Sequence, residues 1–307
     1  MSKVIVLDGG GCQFRAIFCY RGNLVSQILT IIGHPKSKDK LIVDFAQEIM
    51  ETMEFFPEDI EMLLNSKREL TNGIPPEEFV KEFKATYKLP PVYTYLRMAI
   101  GYLKQLKFSP EDLVVVAQDF GSWRKEKDPM YKAQRQEARE SKGSGMWWKQ
   151  RYAEFNDLYD KLSKGSPWHL IKSYKMESDD IGSVCCRYYK DSEVILCSSD
   201  RDWEMLTYFP NVKIFSPITK KFKKDIDPMK VLLEKIQGDV SDNLIVKPKS
   251  EKAWEIRKEI VNLQQLPQYV ERQVWDELDK IHPKNLKLEL IPFKSVREEF
   301  KKLYYTE

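Results

Sequence analysis

At 307 residues the chain can bury a large core in one domain or two, and with charged residues at 32% and aromatics at 12% it is a globular rather than a disordered sequence. A net charge of +3 is nearly neutral, so contact with any polyanion must come from local patches. No apolar run approaches the length of a membrane span, and Met1-Ser2-Lys3 leads directly into a strand, leaving no room for a signal peptide. The five cysteines are odd in number, lack zinc spacing and fall mostly in predicted core elements, which points to a reducing compartment, the cytoplasm by default.

In chain order, Val4-Ile5-Val6-Leu7-Asp8 is an apolar strand ending in a carboxylate, followed by Gly9-Gly10-Gly11. As a phosphate cradle the glycines are weak evidence, because no Gly-Lys-Ser/Thr follows. Phe14 to about Gly101 has a helical pattern, broken at His34-Pro35, Asn72-Gly73 and Pro90-Pro91. Leu113 to Ala117 is a second buried strand, with Asp119 just beyond its end. From Arg124 to Arg151 there are nine Lys/Arg against four Asp/Glu, with Trp123, Tyr131, Trp147 and Trp148 interleaved. Bases mixed with aromatics beside a strand end suit a phosphate backbone with stackable bases, and Arg124 and Lys125 are candidate contacts.

The stretch Glu177 to Asp202 organises the rest. Glu177, Asp179 and Asp180 precede a helical run, where negative charge suits the helix dipole. Val194 to Cys197 is the pattern of a buried parallel strand, and Asp200 and Asp202 lie past its C-terminal end, where open α/β sheets place their sites. A strand-like exit would aim positions i and i+2 at one point. Two converging acidic clusters need a cation, since like charges otherwise drive protonation, and the pair reads as a metal site. Val212 to Phe215 resembles a further strand, followed by a basic turn at Ile218 to Lys224. Asp227 caps a helix with Pro228 at its first position; Asp239 and Asp242 follow, three apart, and Ser250 caps the next helix.

Taken together, strand-Asp8-Gly, Asp119 followed by Tyr131-Lys132-x-x-Arg135, Glu177-x-Asp179-Asp180, Ser199-Asp200-x-Asp202 and Gly238-Asp239-x-Ser241-Asp242-Asn243 stand in the order of a known family. The chain resembles the flap endonucleases and 5′-nucleases, most of all the bacteriophage branch of 5′-3′ exonucleases also called phage ribonuclease H. That resemblance implies an α/β fold with a PIN-like, mostly parallel central sheet flanked by helices. It places a nuclease core at 1–215, including a helical insertion at 34–91 and an arch at 123–165, and a C-terminal helix-hairpin-helix-like duplex-binding region at 216–307. It implies that Asp8, Asp119, Glu177, Asp179, Asp180, Asp200, Asp202, Asp239 and Asp242 hold two or more metal ions. Lys132 and Arg135, with Tyr131 beside them, would face the scissile phosphate.

The implied activity is structure-specific 5′-nuclease action in DNA replication, on DNA with a 5′ flap or nick and on RNA–DNA hybrid, including removal of RNA primers. Single-strand-binding protein and a sliding clamp are the implied protein partners of a monomer without membrane contact, in the host cytoplasm if phage-encoded. The carboxylates themselves select Mg²⁺, with Mn²⁺ substituting, over zinc, and two such ions about 4 Å apart suit in-line phosphodiester hydrolysis. Two rival classes use part of the same set: a metal-dependent phosphohydrolase on small phosphomonoesters, and a non-catalytic nucleic-acid-binding module. Two features depart from the family. The block 34–91 is long, and the glycine hairpin after the Ser-Asp-Asn motif is replaced by Leu244-Ile245-Val246-Lys247-Pro248-Lys249. Proline lacks the N–H donor there, so Lys247 and Lys249 would hold duplex by side-chain charge instead.

Overall fold

The computed structural model describes residues 2–86, 89–134 and 145–305. Its centre is a six-stranded sheet in the order β3-β2-β1-β4-β5-β6. The strands are β1 Val4–Asp8, β2 Leu113–Gln118, β3 His169–Lys172, β4 Val194–Cys197, β5 Val212–Ser216 and β6 Lys221–Phe222. The first five are parallel, and β6 returns antiparallel along β5. The mostly parallel sheet flanked by helices bears out the α/β expectation. The chain builds outward from β1 to β3 and then crosses back, laying β4 on the other side of β1. That reversal leaves a crevice at the strands' C-terminal ends, the position where such sheets bind ligands.

Alternation along the strands builds the core on both faces. Ile5, Leu7, Val114, Val116, Ile195 and Cys197 point into one cluster, with the helices Gly9–Ile31 and Pro91–Gln105. Val4, Val6, Val115, Ala117, Val194 and Leu196 point into the other, against the helices Ser178–Tyr188 and Gln268–Leu278. β1, β2 and β4 are covered on both sides, which is why each reads as an unbroken apolar run. The insertion 34–91 contributes the helices Lys40–Phe55, Ile60–Ser66 and Pro76–Ala85, whose Phe45, Ile49, Met50, Leu64, Phe79 and Phe83 join the first cluster. The final helix, Lys294–Tyr304, joins it too through Val296, Phe300 and Leu303. The proposed division at 215/216 therefore falls between two residues of β5 and is crossed by the core.

Several predicted boundaries are met at the level of caps. The Asp227 side chain accepts from the N–H groups of Met229 and Lys230, ahead of Pro228 in helix Pro228–Gln237. Ser250 accepts from the Ala253 N–H at the start of helix Glu251–Val261. β3 and β6 were not foreseen. β3 is a four-residue edge strand carrying a histidine and a lysine, and β6 lies inside the basic turn.

One glycine sets how the elements bearing the carboxylates meet. Gly182, in the middle of helix Ser178–Tyr188, lies under Trp203, the residue after Asp202, and a Cβ there would come within 2.6 Å of the indole Cζ3. In an exposed helix, Gly→Ala stabilises by about 1 kcal/mol. Here the sign should reverse: Gly182→Ala is expected to destabilise by about 1–3 kcal/mol through overpacking, measured by urea unfolding. Added stability would show that Trp203 does not rest on this helix.

Candidate metal centre

Asp8 ends β1 and caps helix Gly9–Ile31, accepting the Gly11 N–H at 2.8 Å. The glycines are explained by close approach and not by a phosphate cradle. A Cβ on Gly10 would strike the Asp119 carboxylate, and one on Gly11 the Asp8 carboxylate. Two serines that the sequence did not single out complete this corner. Ser198 Oγ donates to Asp8 Oδ2 at 2.7 Å. Ser178 donates its hydroxyl to Asp8 Oδ1 at 3.3 Å and its N–H to Asp119 Oδ1 at 2.7 Å, bridging the two strand ends. Burial first, then the nearby charges of Asp119 and Asp200, lifts the Asp8 carboxyl to about 6 against the opposing bonds from Ser198 and Gly11. Asp119 is raised as well, by burial of its carboxyl and by Glu177, with Ser178 and Lys132 opposing.

The second group surrounds the start of helix Ser178–Tyr188. Glu177 and Asp180 form a capping box there, each side chain accepting the other residue's backbone N–H. Beneath them lies Arg124, 1% exposed. Its guanidinium grips Asp180 with two bonds, at 2.8 and 3.0 Å, and reaches Glu177 Oε2 at 3.0 Å. Its Nε donates to the Ile260 carbonyl at 2.7 Å. Arg124 is delivered there because the loop after β2 is laced to the loop after β3, through Phe120 N–H to Met176 O and Trp123 N–H to Lys175 O. The expectation that Arg124 contacts nucleic acid is thus corrected: its donors are spent on buried carboxylates.

Lys132 donates to Glu177 Oε1 at 2.7 Å and lies 3.7 Å from Asp242 Oδ1. The Tyr131 hydroxyl donates within the same pair of carboxylates, 3.1 Å from Glu177 Oε2 and 3.2 Å from Asp242 Oδ2. Burial alone would raise Glu177, but Lys132 and Arg124 outweigh it and hold its carboxyl below the usual range. Asp179, crowded by burial, Asp180 and Glu177, is pushed well above it. The loop around Asp242 is docked on this segment. Asn243 Nδ2 donates to Met130 O at 2.8 Å, Gln134 Nε2 to Val240 and Ser241 carbonyls, and Lys132 N–H to Asp242 O at 3.0 Å.

The third group is Asp202, Asp239 and Asp242, each offering one carboxylate oxygen such that the three lie within 4.8 Å of one another. Lys235 stands among them in ion pairs with all three. It was missed in the sequence, although a lysine on the face of helix Pro228–Gln237 shared with Val231, Leu232 and Ile236 is a signal of burial. Burial lifts Asp202 to about 6 despite Lys235, with Asp200 adding to the rise. Asp239, where burial is outweighed by Lys235 and Ser241, falls to about 2.

Asp200 and Asp202 have different surroundings, although Asp200 stands near enough to raise the Asp202 carboxyl. After β4 the chain turns at once into a 3-10 helix, Asp202–Tyr208, with Asp200 Oδ1 accepting the Asp202 N–H at 3.0 Å. The strand period is lost, leaving Asp200 exposed beside Asp8 while Asp202 turns to Lys235. Lys125, Lys247 and Lys249 are exposed. Arg135, and with it residues 135–144 of the expected arch, lie outside the described residues. The aromatic expectation is corrected in part. Trp123, Tyr131 and Trp147 are buried, and Trp148 is half-buried against Phe14, their rings stacked at 5.5 Å. The donors gathered here are carboxylate oxygens, which fit a hard divalent ion such as Mg²⁺ or Mn²⁺. The neighbouring Cys12 thiol is kept protonated by burial and by Asp8.

Residues 79–236 match the family model described as 5′-3′ exonuclease, N-terminal resolvase-like domain. The chain is 32% identical over 133 residues to a ribonuclease H of Enterobacteria phage T4, a stretch covering 40% of this chain and 42% of that protein. It thus matches less than half the length of that curated relative. Among solved structures, a phage T5 protein co-crystallised with metal ions aligns with 98% of this chain and 97% of its own, at 15% identity and a TM-score of 0.48. The T5 5′-exonuclease with bound zinc ions aligns over the same shares, at 14% identity and a TM-score of 0.45.

The geometry makes Arg124 a test of stability. Arg124→Ala leaves Asp180 buried without its cation and should cost about 3–5 kcal/mol in metal-free urea unfolding. A solvent-facing phosphate contact would change stability by less than about 0.5 kcal/mol, and that outcome would contradict the placement.

Proposed function

This chain belongs to the 5′-3′ exonuclease family, and from that premise we propose that it is a structure-specific 5′-nuclease. It would hydrolyse phosphodiesters in DNA bearing a 5′ flap or nick and in RNA–DNA hybrid, in cytoplasmic DNA replication. The observation that carries this reading is the convergence of Asp8 and Asp119 at the sheet's reversal, with Lys132 and Glu177 beside them and Asp200 at the edge. Asp8 and Asp119 are raised first by burial and then by neighbouring carboxylates, so the corner gathers negative charge that a divalent ion would offset.

Asp8, Asp119, Glu177 and Asp200 are assigned to one ion, and Asp202, Asp239 and Asp242 to a second. When bound, such ions neutralise the phosphate and make water acidic enough to attack at neutral pH. The chain's own residues do the rest. Lys132, on Glu177 and near Asp242, supplies positive charge where the phosphate's charge grows in the transition state. Tyr131 fixes Glu177 and Asp242 relative to each other. Asp180 is a positioning residue, since Arg124 and the Glu177 N–H occupy its oxygens. Lys125, Lys247 and Lys249 are assigned to the phosphate backbone of the duplex. The loop bearing the last two is tied down by Arg257, whose guanidinium donates to the Leu244 and Val246 carbonyls.

The test is incubation of a 5′-labelled flap, a nicked duplex and an RNA–DNA hybrid with Mg²⁺ and with EDTA. Cleavage should require Mg²⁺ and fall by at least about 100-fold in Asp200→Asn, whose exposed side chain makes no burial contribution to folding. Lys132→Ala should lower single-turnover cleavage by about 100-fold while changing substrate affinity far less. Normal cleavage by Asp200→Asn, or hydrolysis of a nucleoside monophosphate with none of DNA, would overturn the reading.

A further inference from the structure

The three carboxylates assigned to the second ion already share a cation. Lys235 reaches them from helix Pro228–Gln237, 2.8 Å from Asp242 Oδ2 and in closer contact with Asp202 and Asp239. Its side chain is buried, so the ammonium is a fixture of the acidic pocket and not a passing surface partner. The three carboxylate oxygens that would coordinate an ion come from the same residues that the ammonium bridges. An ammonium and a divalent cation compete for that space, since both are positive and both draw on the same three carboxylates.

Arg124 and Lys132, the neighbouring cations of the acidic centre, are held differently. Arg124 has a planar fork fixed on Asp180 and is anchored from behind by the Ile260 carbonyl, so it cannot move without breaking that backbone bond. Lys132 bonds Glu177 and stands at a longer distance from Asp242. Lys235 has a flexible four-carbon stem, and among the described residues its ammonium pairs with the three carboxylates themselves.

We propose that Lys235 is a tethered occupant of the Asp202–Asp239–Asp242 site, so that a divalent ion enters there only by exchange for its ammonium. The proposal rests on the nuclease reading for the purpose of the site, but concerns the free protein's metal affinity. A site available only when Lys235 has left binds metal more weakly by the fraction of time it stands open. The chain therefore has two unequal metal classes: one at Asp8 and Asp119, and a weaker one gated by its own lysine.

Mn²⁺ binding to the full chain, followed by electron paramagnetic resonance and by calorimetry without nucleic acid, tests this. Wild type should show one class and a second at least about tenfold weaker. Lys235→Met should tighten the weaker class by about tenfold or more and leave the other unchanged, whereas Lys235→Arg should not tighten it. Where Lys235→Met does not fold without metal, the Asp239→Asn/Lys235→Met double variant compared with Asp239→Asn reads the same tightening on a less charged background. Two equally tight classes in wild type, or a weaker class that Lys235→Met leaves unchanged or weakens, would overturn the exchange. A protein that shows the exchange but cleaves none of the three substrates would overturn the nuclease reading alone.

Discussion

Carboxylates gathered at the ends of parallel strands repel one another, and the fold withstands that repulsion through cations of its own. Arg124 is the one on which most depends. Its guanidinium joins Asp180 and Glu177 at the start of helix Ser178–Tyr188 to the Ile260 carbonyl at the end of helix Glu251–Val261. It thereby ties the C-terminal region to the acidic crevice. A buried ion pair earns little net stability over an apolar substitute, but removing one partner is costly, so the arrangement locks geometry more than it adds stability. Lys132 and Lys235 extend the same logic outward, each placed between carboxylates from distant parts of the chain.

The outcome is an acidic centre divided by how its carboxylates are held. Asp180 is committed to Arg124 and acts as scaffold. Asp8 and Asp119, bridged by Ser178, have carboxyls raised first by burial and then by their acidic neighbours. Asp202, Asp239 and Asp242 share a lysine on a flexible stem. Because Asp242 also bonds Tyr131, and its loop docks on Met130 and Gln134, that loop and the segment 130–134 are tied together. Movement of that loop would therefore be felt at Lys132.

Much of this was legible in the sequence where local chemistry decides. β1, β2 and β4 are continuous apolar runs because both sheet faces are covered, and the aspartates at or past their ends mark the crevice. The caps at Asp227 and Ser250 depend on neighbours two or three residues away, so their residue types suffice. What was not legible depends on partners distant in sequence. Arg124 looks like one more base in a basic run, and only its meeting with Asp180 makes it a buried strut. Trp123 and Trp147 look like stacking platforms until helices from other regions cover them. Asp202 enters a 3-10 turn and pairs with the buried Lys235 while Asp200 stays exposed, a difference set by a partner more than thirty residues away. β3, short, polar and at the edge of the parallel strands, carries little pattern of its own.

The central claim is that internal cations, and not bound metal, hold the acidic centre folded. Near-ultraviolet circular dichroism through thermal unfolding, in EDTA and in excess Mg²⁺, tests it most directly. The account predicts a native signal and one cooperative transition in EDTA, with Mg²⁺ adding no more than about 3 kcal/mol, a rise of several degrees at most. A metal-free protein without fixed aromatic packing or a cooperative transition, both restored by Mg²⁺, would contradict it.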